Sequence, residues 1–286
     1  MIVIGVVNHK GGTAKTTVAK LLTEYFASKK KRVIGIDLDA QCNYSARLIE
    51  MDIDQYKGLK PPIHPDYDPE KDKEWDGRDS SADLFLYGEV APYPTYLPNV
   101  ELIPSHGKDL EDLLLKLDRK NLSSKIVPII KQWLEIPAVQ QDYDICIIDT
   151  PPSKSILIDA VFRAATHIII PTIMEEMSIE GLFSMIGYYK MENYGRDENE
   201  QIKIAGILPT LFDGRVKEHK ELLRMLGEND AIGSNLIELP MHRRAAYNRT
   251  NNQSAEPKSI LGLPKKSKPY IEVNSICKEI ERRIYG

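Results

Sequence analysis

The chain has 286 residues, of which 42% are hydrophobic and 7% aromatic, a composition typical of a soluble globular protein that can bury a sizeable core. Its formal net charge of −4 argues against a surface covered in positive potential. No apolar run approaches the ~20 residues of a membrane span, and the three scattered cysteines match no metal-ligand spacing, so we expect a cytoplasmic protein with reduced thiols.

In chain order, short β-branched runs alternate with segments of helical periodicity. The predicted strands are residues 2–7, 32–38, 100–103, 144–149, 167–172, 202–208 and 235–239. The predicted helices include residues 16–28, 110–117, 178–189 and 270–285. This alternation predicts an α/β fold with a mostly parallel, twisted sheet and helices on both faces. Ligands of such sheets bind beyond the carboxyl ends of the strands.

Residues 52–98 interrupt this alternation. They are rich in Pro, Asp and Tyr and contain one short helical candidate at residues 82–86. A loop of this length inside a compact domain is unusual unless it is functional or mobile. Because the strand pattern resumes at Val100, we interpret the stretch as an irregular insertion within a single domain that spans residues 1–286.

A glycine-rich turn leads from the first predicted strand into the first predicted helix. Gly11 and Gly12 allow backbone N–H groups to turn inward, and a helix that starts near Lys15 points the positive end of its dipole at a bound anion. In this arrangement Lys15 reaches the β- and γ-phosphates of a nucleotide, and the Thr16 hydroxyl is a ligand of Mg²⁺. The standard G-x-x-x-x-G-K-[ST] pattern nevertheless fails, because histidine and alanine occupy its two glycine positions.

The turn does match K-G-G-x-x-K-T-T over residues 10–17, and here the chain resembles the deviant Walker ATPases of the ParA/MinD superfamily, most closely the ParA-type partition ATPases. Further motifs of that family follow in the right order, at residues 33–45, 143–153, 171–182 and 206–215. Ala40 departs from the proline that the family carries in the first of these. Several ordered motifs identify a family more securely than one glycine-rich loop does.

The resemblance implies a slow ATPase that uses ATP and Mg²⁺. The residues that it places at the nucleotide are Lys10, Gly11, Gly12, Thr13, Ala14, Lys15, Thr16 and Thr17. It further implies that Lys15 serves the nucleotide of its own subunit, whereas Lys10 reaches across an ATP-dependent homodimer to the phosphates on the other subunit. A second cation at the transferring phosphoryl group stabilises its spread negative charge. Both lysines are therefore predicted to be catalytic, together with Asp39.

Three aspartates end two of the predicted strands. Asp149 closes an apolar strand, which places its carboxylate at the carboxyl edge of the sheet, beside the loop, where we expect it to hold Mg²⁺ through water. By resemblance, Asp39 orients or polarises the attacking water, and Asp37 supports the magnesium shell. For the adenine, the resemblance points to Thr210 and Pro240.

The resemblance favours a partition or positioning ATPase whose ATP-bound sandwich dimer binds double-stranded DNA without reading its bases. It places DNA-contacting arginines at Arg215 and Arg244. A ParB-like or other adaptor protein would stimulate hydrolysis and release the dimer, so the protein would be cytoplasmic and associated with the nucleoid when it holds ATP. The phosphate loop begins by residue 10, which leaves no room for an N-terminal helix-turn-helix, so operator-specific repression is not expected.

Two other classes share this ATPase core and remain as alternatives. A MinD-like membrane-positioning ATPase would need a basic amphipathic tail, but the apolar stripe of residues 270–285 lacks Trp, Phe and Leu and is interpreted as core packing, so no membrane partner is expected. A metabolic or metal-handling relative of the iron-protein type would use cysteines near the dimer axis. Here Cys146 lies inside a predicted strand and Cys42 alone follows a motif.

Overall fold

The computed structural model describes residues 1–54, 58–120, 123–251 and 255–286. The strands in these ranges are β1 (Ile2–Val6), β2 (Val33–Asp37), β3 (Asp52–Asp54), β4 (Gly58–Lys60), β5 (Tyr93–Pro94), β6 (Val100–Ile103), β7 (Ile145–Asp149), β8 (His167–Ile173) and β9 (Lys203–Thr210). The helices are α1 (Lys15–Ser28), α2 (Ser45–Leu48), α3 (Ser81–Tyr87), α4 (Gly107–Lys120), α5 (Ser123–Ile126), α6 (Ile129–Leu134), α7 (Pro137–Asp142), α8 (Ile156–Ala164), α9 (Glu176–Asn193), α10 (Lys217–Gly227), α11 (Ala245–Thr250) and α12 (Lys268–Tyr285).

Seven of the strands form one sheet in the order β5-β6-β2-β7-β1-β8-β9. Every pair in it is parallel except β5 and β6, which run antiparallel at one edge. The predicted α/β fold with a mostly parallel sheet is therefore confirmed. The register pairs Val6 with Asp149 and Asp37 with Asp149, so β1, β2 and β7 end at the same level of one edge.

Helices cover both faces of the sheet. Because side chains alternate along each strand, the strands contribute residues to both cores. Ile4 and Val6 of β1 belong to the core that packs under α1 and α12, whereas Val3 belongs to the core on the other face, with α3, α4, α6, α8 and α9. Burying one such side chain stabilises the fold by about 1.5–3 kcal/mol. The approach of α8 to β1 is close, since a Cβ added at Gly5 would lie 2.7 Å from Val161 Cγ1. We therefore expect even Gly5→Ala to force repacking.

The insertion contains more regular structure than the sequence indicated. β3 and β4 form a separate antiparallel pair, and residues 55–57 between them lie outside the described part of the chain. The helical candidate at residues 82–86 is confirmed by α3, which begins with a capping box between Ser80 and Asp83. β5 contains Pro94, which an edge strand tolerates because its missing N–H faces away from the ladder.

The predicted strand at residues 235–239 is wrong. A 3₁₀ turn occupies Gly233–Asn235, and the following segment makes only an isolated bridge, between Leu236 and Ile207 of β9. Pro240 has no N–H to donate, so a ladder could not continue through it. Leu236 and Ile237 are nevertheless buried, which accounts for the apolar centre of the segment, whereas Leu239 is exposed.

The last helix packs into the core, as predicted, and it contacts α1 there. Its apolar stripe is buried in the core: Val273, Ile276, Cys277, Ile280 and Ile284. Among the described residues, no helix is both long enough and apolar enough to cross a membrane.

Candidate nucleotide site

The loop between β1 and α1 contains two residues with left-handed backbone conformation. Gly12 has a φ of 75° and Ala14 a φ of 67°, both in the left-handed region, where a Cβ costs roughly 1 kcal/mol or more. Ala14 is also the N-cap residue of α1 and provides no side-chain cap, and the first turn of α1 contains no acidic residue. The free N–H groups and positive dipole end of α1 therefore remain available to an anion.

Two buried polar residues fix this loop to the rest of the sheet. Asn8 donates from Nδ2 to the Pro171 carbonyl at 2.8 Å, and its Oδ1 accepts from the Lys10 N–H at 2.9 Å. From β9, the Thr210 hydroxyl donates to the Thr13 carbonyl at 3.0 Å. Thr210 is fully buried beneath the loop, so its side chain supports the loop and presents no surface to a base. Its role as an adenine contact, and that of Pro240, stay predictions.

The two lysines of the loop point to different places. Lys15 is buried, and its Nζ donates back to the Lys10 carbonyl at 3.1 Å, beneath the turn. Burial lowers the pKa of Lys15, and the nearby Asp149 and Asp39 carboxylates oppose that shift. The Nζ of Lys10 instead leaves the loop and donates to Ser178 Oγ at 2.7 Å.

Asp149 is the buried acid at the carboxyl end of β7. Neither of its carboxylate oxygens has a hydrogen-bond partner of standard geometry among the described residues. Burial first, and then the Asp37 carboxylate, raise the pKa of Asp149 to about 8, while the nearby Thr16 hydroxyl and Lys15 ammonium oppose the shift. Two orphaned carboxylate oxygens beside a hydroxyl are the hard oxygen donors that Mg²⁺ takes in proteins, so these residues fit the predicted metal.

Among the described residues, no group of three or more His, Cys, Asp or Glu side chains is placed to hold a metal ion by itself. Mg²⁺ in a nucleotide site is usually held by one or two protein oxygens together with phosphate and water. The donors at the site are Asp149 and Thr16. Their roles as ligands, and that of Asp37 in the magnesium shell, stay predictions.

Asp37 and Asp39 end β2 in different environments. Asp37 is fully buried and accepts from the Ser45 N–H at 2.8 Å, the Ser45 hydroxyl at 2.6 Å and the Asp39 N–H at 3.1 Å. Burial raises its pKa to about 6, against the effect of these bonds. Asp37 therefore positions α2 and the turn before it. Within the described part of the chain, the Asp39 carboxylate accepts one hydrogen bond, from the Gln41 N–H at 3.0 Å, and so keeps free lone pairs.

Contacts at this site also involve residues that the sequence alone did not single out. Glu175 and Ser178, at the start of α9, receive the Lys10 side chain. Arg47, in α2, donates from Nη1 to Thr17 Oγ1 at 3.3 Å. Ser178 lies within the family motif at residues 171–182, and Arg47 lies two residues after the motif at 33–45. Proximity to these motifs was the feature of the sequence that could have indicated both residues.

The two arginines predicted to contact DNA differ in solvent exposure and in their ion-pair partners. The Arg215 side chain is 91% exposed and pairs with Asp213 at 2.7 Å. Arg244 is 26% exposed and donates to both carboxylate oxygens of Glu272, which is itself 9% exposed. The Nδ1 of His242 donates to the same carboxylate at 2.7 Å. Arg215 is thus accessible to a phosphate once it leaves Asp213, whereas Arg244 is built into a structural ion-pair cluster.

Comparison with known proteins agrees with this geometry. The family described as AAA domain matches residues 1–204. The chain is 26% identical over 258 residues to a putative replication protein A of Sinorhizobium fredii, a match that covers 80% of this chain and 58% of that relative, so the chain spans less than two thirds of its length. It is 23% identical over 287 residues to the virulence plasmid ParA family protein pGP5-D of Chlamydia psittaci, covering 98% and 94% of the two chains.

A solved structure, that of a McdA variant from Cyanothece in complex with ATP, superimposes with a TM-score of 0.72 at 19% identity, over 100% of this chain and 96% of that one. At this identity the likeness concerns the fold alone. The family match extends over most of the chain and includes the phosphate loop, β2 and β7. The chain therefore belongs to the AAA-domain family, and within it to the ParA-type ATPases of the deviant Walker group.

Proposed function

We propose that this protein is an ATP-dependent partition or positioning ATPase: an ATP-bound sandwich dimer binds DNA non-specifically, and partner-stimulated hydrolysis releases it. The observation that carries the proposal is the divergence of the two loop lysines. Lys15 lies under its own loop, whereas the Lys10 ammonium leaves that loop altogether and is held by α9. A lysine that does not serve its own phosphate site is available to serve that of a second subunit.

In the proposed reaction, the N–H groups at the start of α1 and the Lys15 ammonium bind the β- and γ-phosphates of ATP. Asp149 and Thr16 would hold Mg²⁺, which would supply neutralisation of phosphate charge. Asp39 orients the attacking water toward the γ-phosphorus. Lys10 of the other subunit stabilises the negative charge that spreads over the transferring group. Hydrolysis removes the group that Lys10 binds, which weakens the dimer.

The second part of the proposed function is reversible association with DNA. Arg215 is exposed and lies in the loop after β9, so it can neutralise a phosphate without reading a base. The net charge of −4 means that such binding depends on a local basic patch. An adaptor of ParB-like function would stimulate hydrolysis, and the protein would then cycle between nucleoid and cytoplasm. The similarity to a ParA family protein supports this assignment.

The experiment is retention of plain duplex DNA in the presence of ATP and Mg²⁺, of ADP and Mg²⁺, and of no nucleotide, across a salt series. We expect binding only with ATP, with an affinity that falls steeply as salt rises. The Lys15→Ala variant is the matched control, because it should lose nucleotide binding and with it DNA retention. ATPase activity without DNA binding in any state would contradict the partition function and leave a membrane or metabolic role.

A further inference from the structure

The Arg47 guanidinium brings a permanent positive charge to the start of α1 from the neighbouring helix α2. It is half-buried in α2, two residues after Ser45, whose N–H and hydroxyl are bound by Asp37. Its Nη1 donates to Thr17 Oγ1 at 3.3 Å. Because Thr17 lies in the first turn of α1, the guanidinium stands within reach of any anion bound by the free N–H groups of that turn.

The guanidinium of Arg47 has no anionic partner within the described ranges. It takes part in one hydrogen bond, to the neutral hydroxyl of Thr17, out of the five donors that a guanidinium offers. Burial lowers the pKa of Arg47, and the carboxylates of Asp149, Asp37 and Glu24 counteract this only through space, since none of them forms an ion pair with it. A partly desolvated cation without a counter-ion is costly, so the site is incomplete without an anion.

The charges next to Arg47 on α1 are, by contrast, already satisfied. Lys20 pairs with Glu24 at 3.1 Å and donates to the carbonyls of Thr250 and Lys258. Glu24 also accepts from the Ser259 and Tyr96 hydroxyls. This network covers the α1 surface around Lys20 and Glu24. At Thr17, in the first turn of α1, the side-chain contact is with Arg47.

Arg47 also lines an open cavity of about 820 Å³ that lies between α2, the β5 edge of the sheet and the end of α11. Its wall includes Tyr96, Thr250, Asn251 and Lys258. A volume of this order admits a ligand of nucleotide size. The Arg47 side chain is therefore reachable from solvent through this cavity, and its hydrogen bond to Thr17 connects it to the start of α1.

We propose that Arg47 binds the α-phosphate of the bound nucleotide from the α2 side, and so contributes equally to the affinity for ATP and for ADP. This inference rests on the proposed nucleotide site. The α-phosphate is favoured because Arg47 is bonded to Thr17, one residue beyond Thr16, whereas the groups predicted to act at the transferring phosphate are Lys10, Lys15 and Asp39. Arg47 is thus a binding residue, separate from the acid and lysines of the chemical step.

The test is the dissociation constant of ATP and of ADP, measured by calorimetry for the wild type and for Arg47→Met and Arg47→Lys. We expect Arg47→Met to weaken both nucleotides about tenfold or more, because one charge-assisted contact is lost in each complex. The nucleotide affinity of Arg47→Lys should lie between those of the wild type and Arg47→Met, since lysine keeps the charge but lacks the planar guanidinium. Arg282→Met is the matched control, because Arg282 is exposed on α12 and pairs with Glu279.

Unchanged affinities in Arg47→Met, or a loss confined to ATP, would overturn the assignment to the α-phosphate. A wild type that binds neither nucleotide would instead contradict the proposed function. Should Arg47→Met fail to fold, labelling of the wild type by phenylglyoxal, read at Arg47 by peptide mass spectrometry, decides the question. ADP should protect Arg47 several-fold, and equal labelling with and without ADP would refute the contact.

Discussion

Lys10 and Ser178 are joined within one chain: the lysine Nζ donates to the serine Oγ at 2.7 Å, and Glu175 lies 3.6 Å from the same ammonium. Ser178 is fully buried at the start of α9, while the Glu175 side chain is 54% exposed. The Lys10 side chain must leave these partners before it can reach the phosphates of another subunit. The monomer therefore holds Lys10 in a position that competes with the proposed dimer.

We predict that Ser178→Ala promotes ATP-dependent dimerisation. One hydrogen bond is worth about 1 kcal/mol, and each dimer releases two of them, so the dimer dissociation constant should fall about fivefold to thirtyfold. Sedimentation at a series of protein concentrations, with ATP, measures this. Lys10→Ala is the matched control and should abolish the dimer while it keeps nucleotide binding. A weaker dimer in Ser178→Ala would mean that Ser178 supports the dimer directly.

We predict that Asp39→Ala retains ATP and dimerises but turns over slowly. The Asp39 carboxylate makes one backbone hydrogen bond, to Gln41, so its loss should leave the fold intact. Positioning of water by a general base contributes typically 10²–10⁴-fold, and a loss of about this size is expected in turnover. Phosphate release under single-turnover conditions measures it, with the exposed Asp66→Ala as the control. Wild-type turnover in Asp39→Ala would exclude the role.

How far sequence reasoning reached depends on whether an interaction is local. β1, β2 and β7 are apolar runs whose carboxyl ends meet at one edge, so Lys15 and Asp149 could be predicted as neighbours from the strand pattern. The contact from Lys10 to Ser178 spans 168 residues and that from Thr17 to Arg47 spans 30, and no periodicity encodes either one.

The distinction between local and non-local interactions also explains where the predicted strands differ from the observed ones. The β3–β4 pair and β5 have two or three residues each, too few to show alternation, and they exist only through their partners. The segment 235–239 has the opposite property. It is apolar because Ile237 is buried beside β9, but Pro240 and the turn at Gly233–Asn235 limit its backbone pairing. Burial and ladder formation are separate events, and the apolar pattern reports only burial.

We predict different outcomes for the two candidate DNA-binding arginines. Arg215→Ala should lower DNA affinity and reduce the slope of log affinity against log salt by about one per subunit, because one phosphate contact is lost. Its effect on stability should be within about 0.5 kcal/mol, since the pair with Asp213 is exposed. Filter binding across a salt series, with Arg282→Ala as the control, measures the first effect.

Arg244→Ala should instead destabilise the fold, by about 1–3 kcal/mol, because the buried Glu272 loses a bidentate partner. Urea denaturation of the two variants separates these roles. Loss of DNA binding in Arg244→Ala with unchanged stability would show that Arg244 leaves Glu272 to contact DNA. Unchanged DNA affinity in both variants would place the basic patch elsewhere.

We predict that His167 makes the fold less stable in mild acid. Burial, and then the Lys203 ammonium on β9, lower the pKa of His167 from the usual 6.5 to about 4. Its Nδ1 faces the Thr166 hydroxyl at 2.9 Å, and its Nε2 is buried without a partner among the described residues. The native state therefore keeps the imidazole neutral, whereas the unfolded chain binds a proton as the pH falls through 6.5.

Because the unfolded state binds more protons in this window, the contribution is fully present above pH 6.5 and is lost as the pH falls toward about 4. One proton limits the slope to about 1.4 kcal/mol per pH unit. Urea denaturation at about pH 7 and about pH 5 measures the loss, and the carboxylates that also titrate are common to wild type and variant. His167→Gln cannot titrate, so it should lose less stability than the wild type between these two values. Equal losses would mean that the native state accepts the proton at His167 without penalty, through movement of the start of β8 toward solvent.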